Sequence, residues 1–124
     1  MPTINIQNFI TDIADIVGAK NVLNEAGAMA ENLEERRGNY TSDADAVVLP
    51  ANSTEVASVV KLCAARHMPI VPQGGNTGLC GGAVSQHGQI VLNLKRLNRI
   101  TDIDPVNDTM TVEAGCILAD IQQA

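Results

Sequence analysis

Five glycines fall within the stretch Pro72-Gln73-Gly74-Gly75-Asn76-Thr77-Gly78-Leu79-Cys80-Gly81-Gly82. Glycine adopts positive φ at little cost and lets a ligand or another backbone come close, so such a cluster can form a concave nest of N–H groups that holds anionic oxygen without a cation. The stretch contains no Lys or Arg to pair with phosphate. The pattern GxxxxGK[ST] is absent, which argues against nucleoside triphosphate hydrolysis, and so is the dinucleotide fingerprint GxGxxG. What remains is a diphosphate held mainly by backbone N–H groups, with the Thr77 hydroxyl and the Asn76 amide assisting. The other reading of the same spacing is a glycine-rich turn that lets the chain pass close to a helix or strand.

The remaining reactive residue types carry less. Cys63, Cys80 and Cys116 are odd in number, far apart and free of CxxC spacing, so neither a disulfide framework nor a zinc site is indicated. Cys63 reads as a small core residue on a helix face. Cys80 lies inside the glycine stretch, where neighbouring N–H groups can lower a thiol pKa, but packing is the preferred role. His67, before Met68-Pro69, stands where a His can meet the last carbonyls of a helix, and His87 falls in a turn before Gly88. Neither has a partner at catalytic or metal-ligand spacing. The alternating carboxylates Asp43 and Asp45, and Asp102 and Asp104, read as solvated strand and turn edges, since no further ligands converge on them in sequence. No catalytic residue and no metal site are assigned.

Several elements must position the glycine stretch. Ile6, Phe9, Ile10, Ile13 and Val17 recur at helical spacing, which predicts an amphipathic helix from about Ile4 to Val17 stopped by Gly18. A short strand is expected at Asn21 to Leu23, and the polar stretch from Glu31 to Asp43 reads as a loop. Ala46-Val47-Val48-Leu49, closed by Pro50, reads as a buried strand of a parallel sheet. Asn52 or Ser53 can cap the next helix, whose stripe is Val56, Val59, Val60 and Cys63 and whose end falls near Arg66 to Met68, because Pro69 disfavours helix in the residue before it. Pro69-Ile70-Val71 is a second buried strand, so residues 46–71 form a right-handed strand–helix–strand crossover that delivers the chain into the glycines. Ile90 to Leu94 is a further strand. Ile100 to Asp104 and Met110 to Ala114 form an antiparallel hairpin around Pro105-Val106-Asn107-Asp108. Ile117, Leu118 and Ile121 begin a helical stripe that stops without a cap, which is read as a domain interrupted at Ala124, its apolar face open to self-association.

The stretch from Ala46 to Cys116 resembles the vanillyl-alcohol-oxidase-like, or PCMH-type, FAD-binding domain. Within that superfamily it is most similar to the D-2-hydroxy-acid dehydrogenases, which include D-2-hydroxyglutarate dehydrogenase, D-lactate dehydrogenase and the glycolate oxidase flavoprotein subunit. The residues that carry the resemblance are Tyr40-Thr41-Ser42-Asp43, Val48-Leu49-Pro50 with Ser53-Thr54-Glu55-Val56, Pro69 through Leu79, Gly81-Gly82, and Thr111-Val112-Glu113-Ala114-Gly115. The resemblance implies that Gly74, Gly75, Asn76, Thr77 and Gly78 wrap the FAD diphosphate, that Gly81 and Gly82 complete the cradle and that Pro72 shapes its approach. Some relatives attach flavin covalently through a His just after the paired glycines; Asn76 stands there in this sequence, so a non-covalent flavin is implied. The segments that hold the isoalloxazine and adenosine, and the later substrate domain with its catalytic residues, have no counterpart in this sequence.

The implied fold class is α/β (α+β): a small parallel β-α-β subdomain followed by the start of a mostly antiparallel sheet. Residues 1–45 are expected to be an N-terminal helix and lead-in loop, and residues 46–124 the N-terminal part of the FAD-binding domain. At 45% hydrophobic content the 124-residue chain can bury a core, and with Phe9 and Tyr40 as its only aromatics that core must be aliphatic. The net charge of −6 argues against nucleic-acid binding. Lys95, Arg96 and Arg99 are read as a solvated face. No apolar run spans a bilayer and Met1 to Phe9 lacks a signal-peptide pattern, so a cytoplasmic protein in a reducing compartment is expected. The implied function is the FAD-holding part of an oxidoreductase acting on a small D-2-hydroxy acid, with the electron acceptor unspecified and the chain alone inactive. The readings beside it are a non-catalytic nucleotide-binding module or gene remnant, and a related synthase subunit or aryl-alcohol oxidase sharing the domain.

Overall fold

A computed structural model describes residues 5–124. The first helix, α1, spans Ile6–Val17. Its start is set by Asn5, whose side chain accepts from the Asn8 N–H at 3.2 Å, and its end by Gly18 at φ +92°, whose N–H donates to the Ala14 carbonyl. Phe9, Ile13 and Val17, four residues apart, are buried; Ile6 lies outside this stripe and is exposed. The expected start at Ile4 lies outside the described residues. A short 3-10 turn leads to β1 (Val22–Leu23), as expected.

The segment that follows contains α2 (Ala26–Leu33), whose second half occupies part of the expected Glu31–Asp43 loop. Its sequence, Ala-Gly-Ala-Met-Ala-Glu-Asn-Leu, is small and weakly amphipathic, and only Met29 is buried from it. Packing of Met29 and, one turn on, the partly buried Leu33 against the second cluster, with the Asn32–Gln73 hydrogen bonds, holds the helix.

The central sheet has the order β1-β2-β4-β3, with β2 at Ala46–Val48, β3 at Ile70–Gln73 and β4 at Ile90–Asn93. β2 and β3 both run parallel to β4, which lies between them, while β1 adds to β2 antiparallel. Alternation along the inner strands sends Ala46, Val48, Ile90 and Leu92 into a core under α1 and α3 (Ser53–Ala65), and Val47, Leu49 and Val91 into a second cluster with Met29 and Ala44. Both faces are covered, which explains the unbroken apolar runs of β2 and β4. β3 departs from expectation: it is an edge strand, half exposed at Ile70 and Val71, and buries only Gln73. Pro72 is tolerated there because an edge strand has one side without ladder partners.

Asn52 caps α3, its side chain accepting from the Glu55 N–H at 2.9 Å. Val59 and Cys63 face the core and Val56 is partly buried, but Val60, expected in the same stripe, is exposed, because the face of α3 that meets α1 and the sheet is narrower than the apolar stripe. An Arg66–Asp12 ion pair links α3 to α1. β5 (Ile100–Asp104) and β6 (Thr109–Val112) form the expected antiparallel hairpin as a separate two-stranded sheet. Its turn is organised by Asp104, whose carboxylate accepts from the N–H groups of Val106 and Asn107 and from the Asn107 amide. Helix α4 (Leu118–Gln123) follows.

Candidate functional site

The crossover places the glycine stretch directly after the C-terminal end of β3, beside the C-terminal end of β4. This is the edge at which open α/β sheets receive ligands. Among the described residues, no backbone N–H from Gly74 through Gly82 donates a hydrogen bond to the protein. Backbone N–H groups buried from water pair with protein acceptors as a rule, whereas most of residues 74–82 are exposed, so their N–H groups are open to water or to a ligand. Here a run of donors is left available for an external acceptor.

The glycines divide by what a side chain would meet. At Gly75 a Cβ would sit 3.0 Å from the Ile117 side chain, and at Gly81, φ +80°, it would sit 3.4 Å from the Tyr40 ring. These two positions obey the close-packing reading. A Cβ at Gly78 or Gly82 would meet nothing within 4 Å, and at Gly74 only the Ala114 carbonyl at an ordinary 3.9 Å, and none of the three has a left-handed φ. Internal packing gives no reason for glycine at these three, whereas close approach by a ligand does.

The stretch is tied to the end of α2 and the residues after it. Asn32 donates its side-chain amide to Gln73 Oε1 at 3.0 Å, and Gln73 Nε2 returns a bond to the Asn32 carbonyl at 2.7 Å. Asn93 donates to the same Gln73 oxygen at 2.9 Å and to the Gly74 carbonyl at 3.4 Å. Further along, Asn76 Nδ2 donates to the Glu34 carbonyl at 2.7 Å, and Arg37 to the Leu79 carbonyl at 3.0 Å. Asn76 holds φ +56°, a left-handed conformation that Asn tolerates better than other non-glycine residues. One proton of the Asn76 amide, expected to assist with phosphate, is therefore engaged by the chain itself. Between the two segments lies an open cavity of about 530 Å³ lined by Asn32, Gln73, Gly74, Gly75, Asn76 and Thr77, with Ile117 on one side and Glu31, Glu34, Arg36 and Lys95 at its margins. Arg36 and Lys95 bring cationic charge to the site from segments remote in sequence, which the composition of the glycine stretch alone did not reveal.

Thr77 is exposed beside this cavity, and Pro72, also exposed, is not among the residues that line it. Gly78, Gly81 and Gly82 line a smaller recess with Glu34, Glu35, Ser42 and Asn76. One Glu35 oxygen takes the N–H groups of Arg37 and Asn39, and the other is buried with no partner among the described residues.

The other candidates are placed as follows. Cys63 is buried in the core, and burial pushes its thiol up to about 11. Cys80 is exposed and Cys116 half-buried. His67 does close α3, but through its backbone: at φ +54° its N–H reaches the Ala64 carbonyl while Met68 N–H reaches that of Cys63. His87 lies 3.3 Å from Asp45 and 3.9 Å from Asp43, a proximity created by the sheet because Asp43 and Asp45 run beside the 85–89 turn. No group of three or more His, Cys, Asp or Glu among the described residues has metal-holding geometry. The cationic run is not a uniform solvated face. Arg96 is half-buried and donates to the Leu49 carbonyl, and Arg99 pairs with Glu113 at 2.8 Å, which holds the Glu113 carboxyl below its ordinary value and raises the guanidinium.

A mixed sheet with a parallel centre, carrying at its C-terminal edge a glycine-rich loop whose N–H groups are unengaged, defines a nucleotide-cofactor-binding domain of the α/β (α+β) class. The FAD binding domain family matches residues 44–124, and the chain belongs to that family. It is 34% identical over 107 residues to mitochondrial D-2-hydroxyglutarate dehydrogenase of Arabidopsis thaliana, covering 86% of this chain and 19% of that protein. It is 41% identical over 85 residues to glycolate oxidase subunit GlcD of Bacillus subtilis, covering 68% and 18%. Among solved structures, p-cresol methylhydroxylase with substrate bound superposes with a TM-score of 0.85 at 27% identity, over 98% of this chain and 24% of that one. Alkyldihydroxyacetonephosphate synthase shares the fold, with a TM-score of 0.79 at 18% identity over 99% and 27%. The chain thus spans about a fifth of the length of the curated relatives it matches.

The residues present fit FAD. The free N–H groups of 74–82, the open positions at Gly74, Gly78 and Gly82, and the adjoining cavity match the needs of a diphosphate, which is bound well by converging backbone donors.

Proposed function

We propose that this chain forms the diphosphate-holding part of a flavin-dependent oxidoreductase that converts a D-2-hydroxy acid of the lactate, 2-hydroxyglutarate or glycolate class to the 2-oxo acid. The observation that carries the proposal is the run of unengaged N–H groups from Gly74 to Gly82 beside an open cavity. When bound, FAD supplies the two-electron acceptor for the hydride that leaves the substrate α-carbon. Gly74, Gly75, Asn76, Thr77 and Gly78 hold the diphosphate, Gly81 and Gly82 extend the cradle, and Pro72 stiffens the strand end that leads into it. With Asn76 where a His would be needed for a covalent link, the flavin is held without a bond to the chain at this position. Residues 46–124 act as the start of the FAD-binding domain, and α1, β1 and α2, which precede them, add to its core, its sheet and the rim of the cavity. The names of relatives such as D-2-hydroxyglutarate dehydrogenase and glycolate oxidase subunit GlcD support the substrate class.

The test is an equilibrium titration of the purified chain with FAD, following flavin fluorescence with ADP as competitor, and then anaerobic addition of D-lactate, D-2-hydroxyglutarate or glycolate. Saturable binding relieved by ADP supports the diphosphate site, and bleaching of bound flavin by one acid identifies the substrate. A folded chain that binds neither nucleotide refutes the site. Binding without bleaching by any acid accords with a chain to which no catalytic residue is assigned, and refutes only the reading that the chain oxidises the acid by itself. Cytoplasmic location and self-association through Ile117, Leu118 and Ile121 belong to the same proposal. Ile117 and Leu118 are exposed, and no helix among the described residues is long and apolar enough to cross a membrane. Cell fractionation and sedimentation velocity test the two.

A further inference from the structure

We infer that Gln73 is a positioning residue for the diphosphate loop: its buried side-chain amide locks the end of α2 to Asn93 and the Gly74 peptide, holding the loop with carbonyls tied inward and N–H groups free before any ligand arrives. The inference rests on the FAD reading for its consequence but on the unliganded geometry for its content. Gln73 ends an edge strand whose other residues are half-buried or exposed, yet it is only 2% exposed. An aliphatic side chain would fill that place at lower desolvation cost, so an amide is there for its directional bonds. Its oxygen accepts from both Asn32 and Asn93, and its nitrogen donates to the Asn32 carbonyl, so it must offer donor and acceptor at once. Asn93, 4% exposed, extends the network by donating to the Gly74 carbonyl and accepting from the Lys95 N–H. Arg37 ties the Leu79 carbonyl at the far end. The loop's carbonyls at 74 and 79 are thus engaged while its N–H groups from 74 to 82 are not. A loop already shaped this way avoids the ordering cost of binding.

The charged groups around the same cavity are Glu31, Glu34 and Arg36 from α2 and its continuation and Lys95 after β4. The decisive variant is Gln73→Glu, which keeps shape and acceptors but lacks the donor when ionised. A carboxyl buried against the Asn32 carbonyl is pushed up by desolvation, and on protonation its O–H replaces the lost amide donor. We expect Gln73→Glu to bind FAD about tenfold more weakly than the parent chain at pH 8.5, the equivalent of one lost buried hydrogen bond. Affinity should return toward the parent value at pH 6, while the parent is flat over that range. Backbone order parameters of the unliganded variant at pH 8.5 should fall at Gly74, Gly75 and Asn76 and stay at the parent value at Val91 and Leu92. Unchanged loop order overturns the inference even if affinity falls, because added charge alone then explains the weaker binding. Loss of order in β4 together with the loop also overturns it, since Gln73 is then only a packing residue. Should Gln73→Glu fail to fold, Asn32→Ala, at a half-buried position, must produce the same selective loosening without the pH dependence. If the parent chain binds no FAD, the cofactor reading fails, and the order parameters still decide whether Gln73 positions the loop.

Discussion

Substituting Gly78 by Val separates a ligand-binding loop from a packing turn. A Cβ at position 78 meets no atom within 4 Å and the residue has no left-handed φ, so the chain loses no contact and gains no strain. Stability should stay within about 0.5 kcal/mol of the parent, the range of surface substitutions away from special features. The cofactor meets the opposite situation. A branched side chain on the N–H face of the loop displaces a diphosphate from one or two donors, and a hydrogen bond to a charged group contributes about 1.5–3 kcal/mol. One lost bond therefore raises Kd by roughly 10- to 150-fold, and two remove measurable binding. Flavin fluorescence titration gives the affinity and a urea melt the stability. An unchanged Kd with an unchanged melt would refute the diphosphate site at this loop. A fall in both would show that Gly78 is needed by the fold, contrary to the open space around it. Gly75 is a poorer choice for the same experiment, because Ile117 at 3.0 Å confuses the two effects.

Four further outcomes follow from particular contacts. Gly115→Ala should destabilise the chain by more than about 3 kcal/mol in a urea melt, because the new Cβ would lie 1.7 Å from the Leu94 carbonyl oxygen and 2.7 Å from that of Leu97, both backbone atoms. His67→Gly should stabilise by about 1 kcal/mol, since a non-glycine residue held at φ +54° gives up that much to the left-handed conformation and the His67 ring is not what closes α3. Cys63 should resist thiol reagents in the folded chain while exposed Cys80 reacts, as mass spectrometry after brief alkylation would show. Burial raises the Cys63 thiol from 9.0 to about 11, so ionisation favours the unfolded state. Its contribution to stability is complete below pH 9 and declines as pH rises toward 11, and a melt series across that window checks the sign.

Elements that bury a regular stripe or a continuous apolar run were readable in advance. α1, β2, α3 and β4 each owe their place to such a pattern, and the Pro-Val-Asn-Asp turn marked the β5–β6 hairpin without reference to anything distant. The glycine stretch stood out in the sequence because density of glycine is a local property. What stayed hidden depends on residues far apart in sequence. α2 has no stripe to announce it, and its Asn32 acquires a role only when the sheet brings it within 3.0 Å of Gln73, 41 positions away. The edge position of β3 is equally invisible locally, because it follows from β4 entering between two strands that precede it. His67 shows a different limit: its ring was expected to meet the last helix carbonyls, while the left-handed backbone that closes the helix leaves no mark on residue type, since glycine is the usual occupant there.

The two kinds of glycine near the cavity explain why the loop and the hairpin belong to one device. Gly115 has no freedom, because the chain leaving β6 must pass against the Leu94 and Leu97 carbonyls, and its own N–H bonds to Leu97. That passage delivers Ile117 to Gly75, where a Cβ would lie 3.0 Å from the end of its side chain. Ile117, at the start of α4, thereby supplies an apolar wall to a cavity whose opposite side is the polar end of α2. A diphosphate needs the polar side and the free N–H groups, whereas the bulk of a bound dinucleotide benefits from an apolar contact that excludes water. Shortening Ile117 to Ala should accordingly leave the Gly74–Gly78 donors in place and weaken FAD more than ADP, a difference that competition titration of the two nucleotides measures directly. Equal weakening of both would mean that Ile117 acts on the loop and not on the cofactor.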